Sequence, residues 1–214
     1  MSISADRHHW GLWNSIFGRF MRLLASRLGV HVFLINSRPL NADAFLEDIP
    51  PGEEIRYLKR EDLDPADKEP GLSLLKSFAE AAFERGDVCI GYFDQDQLVS
   101  YFWCGFEAVP MEAGLWVRVP PNYSYAYKAL TVGSHRGRRL QQLLTNASDR
   151  ELAKRGLTHN IEYIATYNFP QRVASARYGN KTIGIAGYVK WGALVRPFRS
   201  PGVKSHGFEF FEPA

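Results

Sequence analysis

The feature that most restricts the fold lies between Tyr123 and Tyr167. Tyr123 to Val132 is a long, tyrosine-rich run that reads as a strand. A helix follows from Arg138 to Arg155, with Leu140, Leu143, Leu144, Ala147 and Leu152 on one stripe and Gly156 at the C-cap position. Asn160 to Tyr167 is a strand again. A strand–helix–strand unit of this kind belongs to mixed α/β architectures. The loop that enters the helix, Gly133-Ser134-His135-Arg136-Gly137-Arg138-Arg139, holds three arginines and two glycines. A helix N-terminus presents unpaired backbone N–H groups, and its dipole adds partial positive charge. Arg136, Arg138 and Arg139 add full charges. Such a place suits a diphosphate, and Gly137 lets backbone approach a ligand with no Cβ in the way.

The remaining segments fill in the order. Val88 to Phe93 and Leu98 to Trp103 predict a hairpin around the four residues Asp94-Gln95-Asp96-Gln97. Short strands are expected over 54–58 and 115–119, and helices over 72–85 and from Pro170 to about Tyr178. Residues 60–70 read as a charged connection. Strands over 185–195 and 207–211 close the chain. A hairpin placed before a strand–helix–strand unit limits the choice of fold.

Residues 10–28 read as an amphipathic helix. Trp13, Ile16, Phe17, Phe20, Leu24 and Leu28 recur at helical spacing, with Ser15, Arg19, Arg22 and Ser26 opposite. Gly29 stops it, and His31 to Ile35 is a short strand. A boundary is expected at Ile49-Pro50-Pro51-Gly52, which makes 1–52 an appendage and 53–214 the main domain. The helix 10–28 either lies on an anionic membrane surface or packs, on the main domain or on a second copy in a homodimer. Packing is the favoured expectation, because three arginines are few for an electrostatic anchor.

Composition limits the function classes. A chain of 214 residues, 45% hydrophobic and 23% charged, is globular rather than disordered. Residues 1–40 hold five arginines and one acid, while the remainder is nearly balanced, with 21 basic and 22 acidic residues. That balance argues against nucleic acid as a partner. Cys89 and Cys104 form no CxxC motif and read as small buried hydrophobes in a reducing cytoplasm. The six histidines lack metal-ligand spacing, so no metal is expected. No apolar run reaches the roughly 20 residues that span a bilayer.

With these residues in place, the chain from about 53 to 195 resembles the GNAT N-acetyltransferase superfamily. Val132, Arg136, Gly137 and the leucines of the helix match the family's diphosphate motif, while Arg139 and Gln141 stand where it has glycines. Their side chains would crowd a cofactor unless they point away. Downstream, Ser175 and Arg177 fit the family's next helix, with Arg172 where asparagine is usual and Asn168 just upstream. The resemblance implies a mostly antiparallel mixed sheet whose fourth and fifth strands, 123–132 and 160–167, splay apart around the pantetheine arm. It implies acetyl-CoA or another acyl-CoA as co-substrate. Arg136, Gly137, Arg138, Arg139 and Leu140 would hold the diphosphate, backbone at Leu130 and Val132 the pantetheine, and Asn168 and Ser175 further parts of the cofactor. The reaction implied is direct acyl transfer to a primary amine of a small molecule such as an amino sugar or amino acid. Glu162 would be the base, with Glu107 and Glu112 as alternatives, and Tyr178 the acid that protonates the leaving thiolate. Tyr123, Tyr125 and Tyr127 either line the acceptor pocket or pack under a helix. The rival reading is a GNAT-like domain without catalysis that binds a partner or a membrane surface through its N-terminal helix.

Overall fold

The computed structural model describes residues 12–44, 48–67 and 71–213. Trp10 and Gly11, the start of the expected first helix, lie outside the described residues. The elements are α1 (Leu12–Leu28), β1 (Val30–Pro39), β2 (Glu53–Tyr57), α2 (Leu63–Asp67), α3 (Lys76–Glu84), β3 (Val88–Asp94) and β4 (Gln97–Gly105). They continue with β5 (Ala108–Pro110), β6 (Trp116–Arg118), β7 (Tyr123–Thr131), α4 (Leu140–Lys154), β8 (His159–Ala165), α5 (Phe169–Arg177), β9 (Lys181–Trp191), β10 (Leu194–Arg199), α6 (Pro201–Ser205) and β11 (Glu209–Phe211).

The chain forms two compact units. The first contains residues 1–38, 107–120 and 161–214, and the second 39–106 and 121–160. The division therefore does not fall at residue 52. The reason is β1, which pairs antiparallel with β9 from Val30↔Val189 to Ser37↔Lys181 and is an inner strand of the first unit. A short strand expected in an appendage is instead ten residues long and two-sided. The segment expected as one strand over 185–195 is two. β9 turns back through Gly192 (φ +61) into β10, with Trp191 opposite Leu194.

In the second unit β2, β3, β4 and β7 pair in that order, all antiparallel. The hairpin turn is tighter than the expected four residues. Asp94 pairs with Gln97, and Gln95 and Asp96 both take left-handed φ (50° and 63°), the type I′ geometry that matches strand twist. α4 lays Leu140, Leu144 and Leu152 against β3 and β4, where they join Trp103, Tyr101, Cys89 and Cys104 in one core. Both cysteines are free and buried. Lys128 (φ 40°) sits at a bulge where the register with β4 shifts.

In the first unit, β9 has two faces. Ala186 and Tyr188 are buried with Phe33, Tyr163 and Phe210, on the side where α6 packs through Val203. The other side carries α1 and α5. β5, β6 and β11 form a separate three-stranded sheet.

Candidate functional site

The loop before α4 is built to leave backbone donors free. The N–H groups of Gly137, Arg138, Arg139, Leu140 and Gln141 make no backbone hydrogen bond among the described residues, whereas His135 and Arg136 donate back to Val132 and Gly133 and Gln142 and Leu143 to Arg139. No side chain caps the helix. Most helices close this end with a Ser, Thr, Asp or Asn oxygen. Here no side-chain oxygen closes the first turn. Gly137 has φ +84°, and a Cβ built there would meet nothing within 4 Å, so it faces open space.

The two departures from the glycine pattern resolve differently. Arg139 occupies its position with φ 59° and ψ 22°, the left-handed geometry that glycine adopts without cost and that a side chain adopts at roughly 1–2 kcal/mol. The backbone path of the glycine is kept, and the guanidinium projects outward. Gln141 turns its amide inward between β4 and β7. Its Nε2 lies 2.9 Å from Ser100 Oγ, 3.0 Å from Leu130 O, 3.1 Å from Tyr101 O and 3.3 Å from Thr131 Oγ1. Two hydrogens shared over four acceptors hold the side chain in the sheet, away from the loop's open side.

Arg138 donates to both carboxylate oxygens of Glu53 (2.8 and 2.7 Å), and Tyr92 Oη also donates to Glu53. The Arg138 and Tyr92 hydrogen bonds hold the Glu53 carboxyl below the usual carboxylate range. His135 Nε2 lies 3.0 Å from Asp94 Oδ2, and its Nδ1 2.9 Å from Ser134 Oγ. Arg136 Nε donates to Thr131 O at 3.2 Å. Among the described residues neither Arg136 nor Arg139 forms an ion pair with an acid, so these two guanidinium groups carry the loop's uncompensated charge.

Strand alternation decides where the backbone groups of Leu130 and Val132, expected to meet a pantetheine arm, point. Val132 donates its N–H to Val99 O at 3.0 Å, and this pair sits directly opposite in the register that also pairs Leu130 with Tyr101. Residues 130 and 132 therefore turn their backbone groups toward β4, and Leu130 O also receives Ser100 Oγ. The groups that turn away from β4 belong to Ala129 and Thr131. The tyrosines of β7 pack. Tyr125 stacks on Tyr127 (5.5 Å), Tyr123 stacks on His159 (4.9 Å), and Tyr127 Oη donates to Asp87 at 2.7 Å.

The first unit holds the predicted acid and base. Glu162 lies inside β8, where burial raises its pKa against hydrogen bonds from Ser175 and Asn36 and the charge of Arg38. Ser175, 1% exposed, donates to Glu162 and accepts from Asn36 Nδ2 at 3.1 Å, and Thr182 Oγ1 donates to Asn36 Oδ1 at 2.8 Å. Ser175 thus holds the carboxylate in one orientation. Asn168, expected as a cofactor ligand, is the N-cap of α5, its side chain accepting from Gln171 N at 3.3 Å. Tyr178, at the C-cap of α5, is pushed up by burial and by the Glu162 charge, so it holds its proton. A cavity of about 460 Å³ lies beside α4 in the second unit, lined by Ile55, Tyr57, Ile90 and Leu143. A polar one of about 360 Å³ in the first unit is lined by Asn14, Leu34, Asn36, Arg172, Ser175 and Thr182. Of the alternative bases, Glu112 lies 3.8 Å from His31 Nδ1, and Glu107 has a left-handed backbone (φ 56°) before β5.

Sequence reading missed Asn36, Gln141 as a clamp, and the Glu53–Arg138 pair. Asn36 had a signal, a lone amide ending an apolar run. The other two depend on partners 41 and 85 residues distant.

No family model matches the sequence, and no curated protein matches it. Solved structures resemble the fold. A tandem GNAT protein from the clavulanic acid biosynthesis pathway is 14% identical with a TM-score of 0.53, covering 90% of this chain and 59% of that one. A GCN5-related N-acetyltransferase from Sphaerobacter thermophilus is 11% identical with a TM-score of 0.52, covering 86% and 56%. A GNAT-family acetyltransferase from Colwellia psychrerythraea is 18% identical with a TM-score of 0.51, covering 85% and 56%. The chain thus spans a little over half the length of each.

Proposed function

We propose, from the premise that this chain has the GNAT N-acetyltransferase fold, that it is an acyl-CoA-dependent N-acyltransferase acting on a primary amine of a small molecule such as an amino sugar or amino acid. The observation that carries the reading is the uncapped start of α4, with five consecutive N–H groups from Gly137 to Gln141 left without intramolecular backbone acceptors. Oriented donors at a helix N-terminus bind a diphosphate, and Arg136 and Arg139 add charge. The geometry of Gln141 also supports it, since the residue that would block a cofactor is folded away.

In the proposed reaction the amine attacks the thioester carbonyl, the N–C bond forms, and the C–S bond breaks. Glu162, its pKa raised by burial, takes the proton from the ammonium group, and Tyr178 gives its proton to the departing thiolate. Ser175 and Asn36 hold the Glu162 carboxylate in one orientation. The polar cavity beside Asn36 and Ser175 suits a hydrophilic acceptor.

The test is thermal. Acetyl-CoA and longer acyl-CoAs should raise the melting temperature of the pure protein, because a ligand that binds only the native state must do so. Gly137→Val should abolish the rise, since its side chain would occupy the space the diphosphate needs. Absence of any shift at millimolar acyl-CoA would sink the enzyme reading and leave the non-catalytic binding domain.

A further inference from the structure

The helix α1 does pack on the first unit, but not through its apolar stripe. Gly18 faces Phe169 and Tyr167, Met21 is 8% exposed, and Arg22 lies over the Tyr167 ring. The stripe itself points outward, with Trp13 82%, Phe20 55%, Leu23 55% and Leu28 63% exposed. On an α-helix, Trp13, Ile16, Phe17, Phe20, Leu23 and Leu28 cover one arc, and Asn14, Gly18, Met21 and Ala25 the neighbouring one. The outward arc lies away from the contact of Gly18 with Phe169 of α5, and α1 also contacts β9.

Strands β9 and β10 are apolar on the same face. Directly opposed residues of an antiparallel pair share a face, as do alternate residues along a strand. Ile185, Val189 and Trp191 of β9 therefore lie beside Leu194, Arg196 and Phe198 of β10. Leu34 pairs with Ile185, and with Asn14 of α1 it lines one cavity, which puts α1 on this face too. No described element covers its outer part. Trp191 is 84% exposed, Leu194 48% and Phe198 37%. The hairpin tip adjoins the end of α1, since Lys190 N donates to Gly29 O at 2.8 Å.

The charge around this face has one sign. The elements of this face, α1, β9 and β10, contain seven Lys and Arg and no Asp or Glu, and Arg196 shares the exposed side of β10 with Leu194 and Phe198. Arg199 also pairs with Glu209 at 2.8 Å. A second copy on this face would set like charge against like charge. A nucleic acid would leave the aliphatic side chains in water. An anionic bilayer meets both demands, because acyl chains accept the aliphatic residues, lipid phosphates accept the basic ones, and tryptophan favours the boundary between them. No described helix is long and apolar enough to cross a membrane, so the contact is lateral.

We infer that the α1 stripe and the β9–β10 face form one docking surface for an anionic lipid bilayer. The full chain is mixed with vesicles of phosphatidylcholine, with or without about 30% phosphatidylglycerol, and sedimented. It should bind the anionic vesicles at least about tenfold more tightly, lose that binding as salt rises, and show a blue shift of tryptophan emission. Trp191→Glu with Leu194→Ser, at the exposed tip, should weaken binding about tenfold or more, and so should Arg27→Glu with Arg196→Glu. Circular dichroism of each variant should remain that of the parent, and so should its thermal response to acetyl-CoA. Any such response is read separately, so the docking surface and the acyltransferase reading fail independently. The proposal is overturned if anionic vesicles are not bound at low salt. It is also overturned if the tip variant instead abolishes a concentration-dependent dimer, or if single-stranded DNA binds while vesicles do not.

Discussion

The two units treat large apolar side chains in opposite ways. The second buries them, with Trp103, Tyr101 and Leu144 essentially inaccessible, and Leu75 is its only large hydrophobic that stands exposed among the described residues. The first exposes Trp13, Trp191 and ten more across α1, α5, β9 and β10. Apolar area removed from water contributes roughly 25 cal/mol per Å². The second unit gains that energy on folding, and the first leaves part of it unrealised in the exposed residues.

The basic residues divide in the same way. Around the loop before α4, Arg138 is held by Glu53 and His135 lies beside Asp94, and among the described residues Arg136 and Arg139 have no ion pair with an acid. Around the outer face of the first unit the neighbouring sequence supplies almost no acid.

Four substitutions sharpen or break this contrast. The largest effect belongs to Leu144→Ala, which leaves a cavity between α4 and the sheet and should cost about 2–5 kcal/mol in urea unfolding. Leu194→Ala should change stability by less than about 0.5 kcal/mol, and a loss comparable to that of Leu144 would show that the outer face is core after all. Gln141→Ala should cost about 1–2 kcal/mol, because its amide serves acceptors on β4 and β7. Arg139→Gly should raise stability by about 0.5–1 kcal/mol, the left-handed strain relieved less the extra freedom of glycine in the unfolded chain. A loss there would mean that the Arg139 side chain has a structural contact.

The smallest effect is a change of slope. The folded-state pKa of Glu162 lies above its unfolded value, so the native state holds that proton more tightly. Its contribution is favourable below the unfolded pKa and is lost as pH rises through the folded one. Glu162→Gln should therefore stabilise the protein at neutral pH, with the gain vanishing in acid. Unfolding free energies measured across pH give the answer, and a gain that does not depend on pH would remove the buried carboxylate from the argument. Acyl transfer, if Glu162 is the base, should fall with the same substitution.

Much of the framework was legible in the chain. The spacing of Leu140, Leu144 and Leu152, the alternation in β3 and β4, and Gly156 after α4 describe local periodicities, and local periodicity needs no partner to be read. The glycine loop that opens α4 was legible for the same reason, since a helix start and its glycine lie within a few residues. Asn168 shows the limit. Its asparagine suggested a ligand, yet it caps the first turn of its own helix, a role equally available to the same residue. Ser175 is a further case, because its neighbours Glu162 and Asn36 come from two different strands.

The sequence by itself determined where α1 is apolar, where β9 alternates, and that a basic glycine loop opens α4. Tertiary structure decided the sign of each. It turned the α1 stripe outward by offering Phe169 a place against Gly18, and it folded Gln141 away from the loop by offering four oxygens in the sheet. It also buried Glu162 by closing Ser175 over it. A stripe or an amide carries only a preference for apolar or polar surroundings, and which surroundings it meets is settled by residues far away in the chain.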